Sequence, residues 1–229
     1  MKLTSRLQVI ADLVEKGSIV GDVGSDHGYL PIYLVEEGTC ASAIATDINA
    51  GPTENARQAV REAGLTDKID VRHGGGLIPY EVGEVDTVVI AGMGGLLIRD
   101  IMLERPEMTA SVDTFILQPM VAQDELRKWL CENNFEIIEE RLALEVRRMY
   151  EIIVVKHGKM TIEDPLAFEL GVKLIKSEDP LSKVFLDKKI KKTSEIIKGL
   201  EASKSEDSKS RLPELRAKLV RMEAIRSCL

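Results

Sequence analysis

Residues 18–31 read SIVGDVGSDHGYLP, and no other stretch of the chain so narrows the choice of fold. A short apolar run, Ile19, Val20 and Val23, leads into Gly24; Gly28 follows, then an apolar-rich segment from Tyr29 to Val35. Strand, tight glycine turn and helix in that order form the ligand-facing end of an α/β sheet. The glycines do not make the dinucleotide fingerprint G-x-G-x-x-G, because Asp22 and Val23 separate Gly21 from Gly24. The turn is acidic besides. Asp22 and Asp26 stand where a pyrophosphate would bring its own negative charge, so a cationic or phosphate-free nucleotide suits the turn better.

The surrounding pattern supports a sheet. Leu7, Ile10, Leu13 and Val14 recur at helical spacing, predicting a helix over about 4–15 with Thr4 as its N-cap. Strands are expected over 41–48, 69–72, 86–91 and 114–117, and helices over 55–63, 96–103 and 123–132. Residues 136–144 and 150–156 read as a final antiparallel pair joined around Arg147. Alternating strands and helices imply a doubly wound parallel sheet covered on both faces, and the antiparallel edge pair fits a seven-stranded methyltransferase sheet. Asp47 ends the second strand roughly 20 residues after the glycine turn, where such sheets carry a ribose-binding carboxylate. An N-cap role for the next helix is the competing reading. Turn and carboxylate together point to S-adenosylmethionine, which brings a sulfonium, an amino group and an adenosine ribose.

Past His157 the pattern changes. Leu186, Ile190, Thr193, Ile197 and Leu200, then Leu212, Leu215, Leu219 and Met222, step by threes and fours around the polar segment 203–210. Two helices of an antiparallel coiled coil are expected, giving a methyltransferase domain over 1–158 and a helical domain over 159–229. The net charge of −7 argues against a nucleic-acid binder only on average. Between Lys183 and Arg226 lie 13 Lys and Arg against 7 Asp and Glu, while the other 18 basic and 31 acidic residues leave the body at −13. An acidic body with a basic tail suits a polyanion partner, although charge alone also describes a solvated helix face. Three scattered cysteines offer neither a disulfide framework nor a zinc site, and a reducing cytoplasm is expected. No run is long and apolar enough for a signal peptide or a membrane span.

Chemistry-bearing residues are few. His27 is the one histidine in the expected site, as a base or as a group orienting the turn, with Asp26 beside it in sequence. Gly74 to Gly76 would let backbone approach an adenine edge. Gly92-Met93-Gly94-Gly95 closes the central strand and offers backbone amides where a substrate base would lie. No metal-ligand cluster emerges.

The blocks Asp22 to Pro31, Ala45 to Ile48, Ile90 to Gly95 and Ile116 to Pro119 resemble the bacterial TrmK family, tRNA methyltransferases acting on N1 of adenine 22. That resemblance implies the class I S-adenosylmethionine-dependent fold. It implies a site with Asp22, Gly24, Asp26 and His27 around the cofactor's methionine part, Asp47 and Ile48 at its ribose, and Gly74 and Gly75 at its adenine. Ala91, Gly92, Met93 and Gly94 would border the reacting centre, with Asp26, His27, Tyr29, Gly92 and Met93 as the catalytic candidates. Arg6, Arg147, Arg148, Lys188 and Lys192 would meet tRNA phosphates. The protein would be a monomer needing no metal and no membrane. Two positions depart from the family pattern, Gly75 where it has an aspartate and Met120 where it has an asparagine. A methyltransferase of small molecules or proteins, or a non-catalytic tRNA-binding protein of the same fold, are the alternatives.

Overall fold

The structure, a computed structural model, describes residues 1–177, 179–203, 205 and 210–229. The chain divides into two compact units, Met1–Ile162 and Glu163–Leu229. The first opens with α1 (Ser5–Asp12), whose N-cap Thr4 accepts the Leu7 N–H at 3.4 Å. There follow β1 (Ile19–Val23), α2 (Tyr29–Glu36), β2 (Ser42–Asp47), α3 (Ala50–Glu62), β3 (Ile69–His73), β4 (Thr87–Met93) and α4 (Gly95–Glu104). Then come α5 (Pro106–Ser111), β5 (Thr114–Pro119), α6 (Gln123–Glu132), β6 (Phe135–Glu145) and β7 (Arg148–His157).

The seven strands form one sheet in the order β3-β2-β1-β4-β5-β7-β6. The first five are parallel; β7 runs antiparallel between β5 and β6. Successive residues of the central strands face opposite sides, as the pleat requires. Val20, Val89, Ile116 and Ile152 pack with Ile10 of α1 and Leu34 of α2. Their neighbours Val88, Phe115 and Ile153 are equally buried, as are Ile98 of α4 and Leu126 of α6. Strands buried on both sides read as continuous Val and Ile, which is how β4 appears in the sequence. Strand order reverses direction between β1 and β4, and such a switch point opens a crevice at the carboxyl ends of the strands.

Several boundaries differ from the sequence reading. Helix α1 stops at Asp12, short of Glu15, and α3 begins at Ala50 rather than near Asn55. Gly51 and Pro52 look like a helix breaker, but proline in a first turn forfeits no hydrogen bond because that turn's N–H groups have no helical partner. Helix α5, unforeseen, is six residues opened by Pro106. Strand β5 runs on to Pro119, which pairs with Met93 across a bulge.

The second unit holds α7 (Leu166–Leu170), a 3-10 turn (Leu174–Lys176), α8 (Ser182–Ala202) and α9 (Leu212–Cys228). Helices α8 and α9 run antiparallel: Arg216 meets Glu201 at 2.6 Å, and Arg226 meets Asp187 at 2.9 Å. Phe185, Leu186, Thr193, Ile197 and Met222 are buried, whereas Leu212, Leu215 and Leu219 are only half-buried. Most of the expected polar hairpin, residues 204 and 206–209, lies outside the described residues. No helix among the described residues is long and apolar enough to cross a membrane.

Candidate active site

A cleft of about 460 Å³ lies at the carboxyl ends of the strands, lined among others by Gly24, Asp47, Ile48, Gly74, Gly75, Ala91, Gly92 and Met93. Its floor is the turn after β1. The Gly24 and Ser25 N–H groups both donate to the Thr46 carbonyl at 2.9 Å, tying the turn to β2. Gly24 has φ +74°, and a Cβ there would lie 2.6 Å from Met93 Cε. Asp26 is left-handed as well, at φ 54°, a conformation aspartate tolerates better than most side chains. Replacing Gly24 with Ala is expected to cost about 1–2 kcal/mol of backbone strain. Its methyl also displaces Met93 in the cleft, so calorimetry should show cofactor affinity falling further than the melting temperature suggests.

Asp22 lies beneath this turn, 6% exposed, with the Ser25 hydroxyl donating to Oδ2 at 2.6 Å. Burial raises its carboxyl to about 6; the Ser25 hydrogen bond and the Arg6 charge pull it back down, and the Asp47 charge pushes it up. Asp47 divides its carboxylate. Oδ1 accepts the Asn49 N–H at 2.8 Å and the Asn49 side-chain amide at 3.2 Å, shaping the entry to α3. Oδ2 has no hydrogen-bond partner among the described residues. The N-cap of α3 is Asn49, so the competing N-cap reading of Asp47 does not hold: Oδ1 shapes the turn before the helix and Oδ2 stays open to a ligand.

The wall after β3 is held by Arg72, whose guanidinium donates twice to Glu84, at 2.7 and 2.5 Å, once to the Pro79 carbonyl at 2.8 Å and once to Asp70 at 2.7 Å. A Cβ on Gly74 would lie 2.5 Å from Pro79 Cγ, so the loop's own packing requires that glycine. Ile48, exposed at the rim, would lie 3.0 Å from a Cβ on Gly75. Glu104 of α4 also lines the cleft and touches this wall, its Oε2 3.3 Å from where a Gly76 Cβ would sit.

Asp22, Asp26, His27, Tyr29 and Gly94 are not among the residues lining the cleft. Beyond the glycine turn, His27 stacks on Tyr29 with ring centroids 5.1 Å apart and 20° between planes. Its Nε2 lies 3.5 Å from Asp26 Oδ2. Tyr29 is half-exposed, presenting an aromatic shelf. Opposite, β4 bulges between Ala91 and Met93, and Gly92 adopts φ +79°. The Gly92 N–H donates to Gln118 Oε1 at 3.2 Å, and Arg6 Nη1 donates to the same oxygen at 2.9 Å.

Arg6, expected on the RNA surface, therefore turns inward, with its guanidinium also 5.6 Å from the Tyr150 ring centroid. Arg148 lies 5.4 Å from that centroid, and Arg147 is exposed in the β6–β7 turn. Lys188 and Lys192 are exposed on α8, in the other unit. Sequence reasoning gave no role to Gln118, Ser25 or Glu104. Gln118 alone left a trace, as a polar residue closing an apolar strand. Among the described residues no cluster of His, Cys, Asp and Glu could hold a metal ion.

A bare-backbone cradle at Gly24, an uncommitted carboxylate oxygen on Asp47 and a buried acid at Asp22 suit a cationic nucleoside and repel a pyrophosphate. With the strand order above, they define a class I S-adenosylmethionine-dependent methyltransferase. The profile of the methyltransferase domain matches residues 3–153. The tRNA (adenine(22)-N(1))-methyltransferase of Bacillus subtilis is 37% identical over 158 residues, 69% of this chain and 66% of that protein. The crystal structure of the B. subtilis m1A22 tRNA methyltransferase TrmK superposes with TM-score 0.87 at 31% identity, covering 98% of this chain and 99% of that one. A putative tRNA (m1A22) methyltransferase of Streptococcus pneumoniae, in complex with S-adenosyl-L-methionine, gives TM-score 0.86 at 36% identity, over 98% and 100% of the two chains. The chain belongs to the tRNA (adenine-22, N1) methyltransferase family.

Proposed function

We propose that this protein transfers a methyl group from S-adenosylmethionine to N1 of adenine 22 in tRNA. The observation that carries the reading is likeness over both units, 98% of the chain, to enzymes of that description. Asp22, Gly24, Asp26 and His27 would hold the methionine part of the cofactor, Asp47 and Ile48 its ribose, and Gly74 and Gly75 its adenine. Bound S-adenosylmethionine supplies an electrophilic methyl. Adenine N1 already carries a free lone pair, so the protein's task is alignment more than base catalysis. The target base must leave its stacked surroundings, and the exposed His27–Tyr29 stack beside the glycine turn supports a stacking role. Met93 and the Gly92 backbone at the end of β4, with the Gly94 backbone at the start of α4, would flank the base.

Arg147, Arg148, Lys188 and Lys192 would hold phosphates by charge and shape. Reversing Lys188 and Lys192 to Glu together is expected to raise the tRNA dissociation constant about tenfold or more at low salt. Cofactor affinity should stay fixed in calorimetry; unchanged tRNA binding would remove α8 from the interface. The reading makes the protein a cytoplasmic enzyme, since its substrate is matured there. On the same reading it acts as a monomer.

The deciding experiment incubates the protein with methyl-labelled cofactor and tRNA transcripts carrying adenine or guanine at position 22. Label recovered as 1-methyladenosine only from the adenine transcript is the expected result. Label at another nucleoside, or only in small molecules or protein, overturns the substrate. Tight tRNA binding without incorporation returns the non-catalytic alternative.

A further inference from the structure

The contacts of Arg6 and Gln118 extend to the reacting centre, and this inference rests on the reading just given. Gln118 is fully buried at the end of β5. Its Nε2 donates to the Pro119 carbonyl at 3.0 Å, and its Oε1 accepts from both Arg6 and Gly92. A carboxamide can turn over and exchange oxygen for nitrogen, but a guanidinium only donates. Arg6 therefore dictates which end of the amide faces Gly92. With the amide reversed, an NH₂ group would confront the Gly92 N–H, donor against donor.

The Gly92 N–H belongs to the peptide plane that carries the Ala91 carbonyl. No peptide bond among the described residues is cis, so that carbonyl points the opposite way from the N–H. It points away from Gln118, on the side where β1 stops pairing with β4 at Val23 and Ile90. Ala91 lines the cleft there. Methylation of adenine N1 spreads positive charge over N1, C6 and the exocyclic amine. A fixed carbonyl accepting from that amine binds the transition state more tightly than the neutral base.

The geometry points to Arg6 and Gln118 as positioning residues: the guanidinium orients the Gln118 carboxamide, the carboxamide holds the Gly92 peptide in its bulge, and the Ala91 carbonyl is thereby presented to the exocyclic amine of the target base. Arg6 acts two contacts away from the substrate and is not a phosphate clamp.

The test uses the full chain with Arg6→Met, Arg6→Lys and Gln118→Met, alone and with Arg6→Met combined with Gln118→Met. Arg6→Met and Gln118→Met are each expected to lower kcat about 100-fold, with the KM for tRNA unchanged. Arg6→Lys, whose ammonium also only donates, should recover about tenfold of that loss. The double variant should be no slower than Gln118→Met, because both residues act through one peptide. A phosphate clamp predicts the opposite split: kcat kept, KM raised, and the salt slope of tRNA binding reduced by about one. That split, or losses that add in the double variant, overturns the proposal. A second readout needs no substrate. The Gly92 amide proton, in ¹⁵N-glycine-labelled protein, should move upfield in Arg6→Met and Gln118→Met and stay near its place in Arg6→Lys. An unmoved resonance refutes the relay even if the tRNA assignment fails, and a moved resonance with a different methylated nucleoside refutes only the assignment.

Discussion

Asp22→Asn is expected to leave the ligand-free protein more stable and its grip on the cofactor weaker. Burial holds the Asp22 carboxyl at about 6, above its ordinary value of 3.8, so at neutral pH the folded chain carries an ionised group it would rather protonate. A shift of about two units corresponds to roughly 3 kcal/mol of lost stability above pH 6. The sign follows from linkage. The folded state binds the proton more tightly than the unfolded state, so the Asp22 penalty fades as pH falls from above 6 toward 4 and is constant above that window. The difference in urea-melt stability between Asp22→Asn and wild type should carry this slope, since the other carboxylates titrate alike in both proteins. A cationic ligand inverts the preference, because it favours the carboxylate. Cofactor affinity in the wild type should therefore weaken as pH drops through 6, by up to about tenfold per unit, while Asp22→Asn binds weakly at every pH. Parallel pH profiles for the two proteins would disprove the role given to Asp22.

The second large effect is structural. Arg127 of α6 is wholly buried, donating to Glu140 of β6 at 2.6 Å and to Glu151 of β7 at 2.7 Å. Both carboxylates are buried too, at 2% and 5% exposure. Such a triad contributes little against a well-packed apolar replacement, but removing its one cation strands two negative charges side by side. Arg127→Met should cost about 4 kcal/mol and lower the melting temperature on the order of 10 °C. The deficit should shrink on acidification, since a stranded carboxylate with a raised pKa recovers its neutral form first. A deficit that does not change between pH 7 and 5 would mean that lost packing, not stranded charge, sets the cost. The cofactor cleft is built from other strands, so the residual folded protein should bind S-adenosylmethionine normally.

Local signals carried most of the fold. A Val and Ile run marked β4 because a buried parallel strand leaves no polar face, and the glycine turn located the crevice. What escaped had physical reasons. The start of α3 was hidden by Gly51 and Pro52, whose breaking power is spent harmlessly in a first turn. Helix α5 is too short for periodicity to register. In the site, Asp47 was legible because its spacing from the turn is set by one βαβ unit. Arg6 was legible only as a positive charge. Its partner stands 112 positions away, and nothing local distinguishes an arginine bound for a phosphate from one bound for a buried carboxamide. The bulge at Gly92 was likewise invisible as a bulge, since Gly-Met-Gly-Gly announces freedom without saying how it is used.

The Arg72 clamp has a consequence for turnover. With Glu84, Pro79 and Asp70 pinning it, the wall beside Gly74 and Gly75 is braced by the chain's own contacts. A nucleoside gripped by a rigid wall is gripped alike whether or not its sulfur still bears a methyl. On the proposed reading, the spent cofactor shares nearly all of the donor's contacts and lacks only the sulfonium charge that Asp22 favours. The enzyme is then throttled by its own product, and its rate follows the ratio of methylated to demethylated cofactor rather than the donor concentration alone.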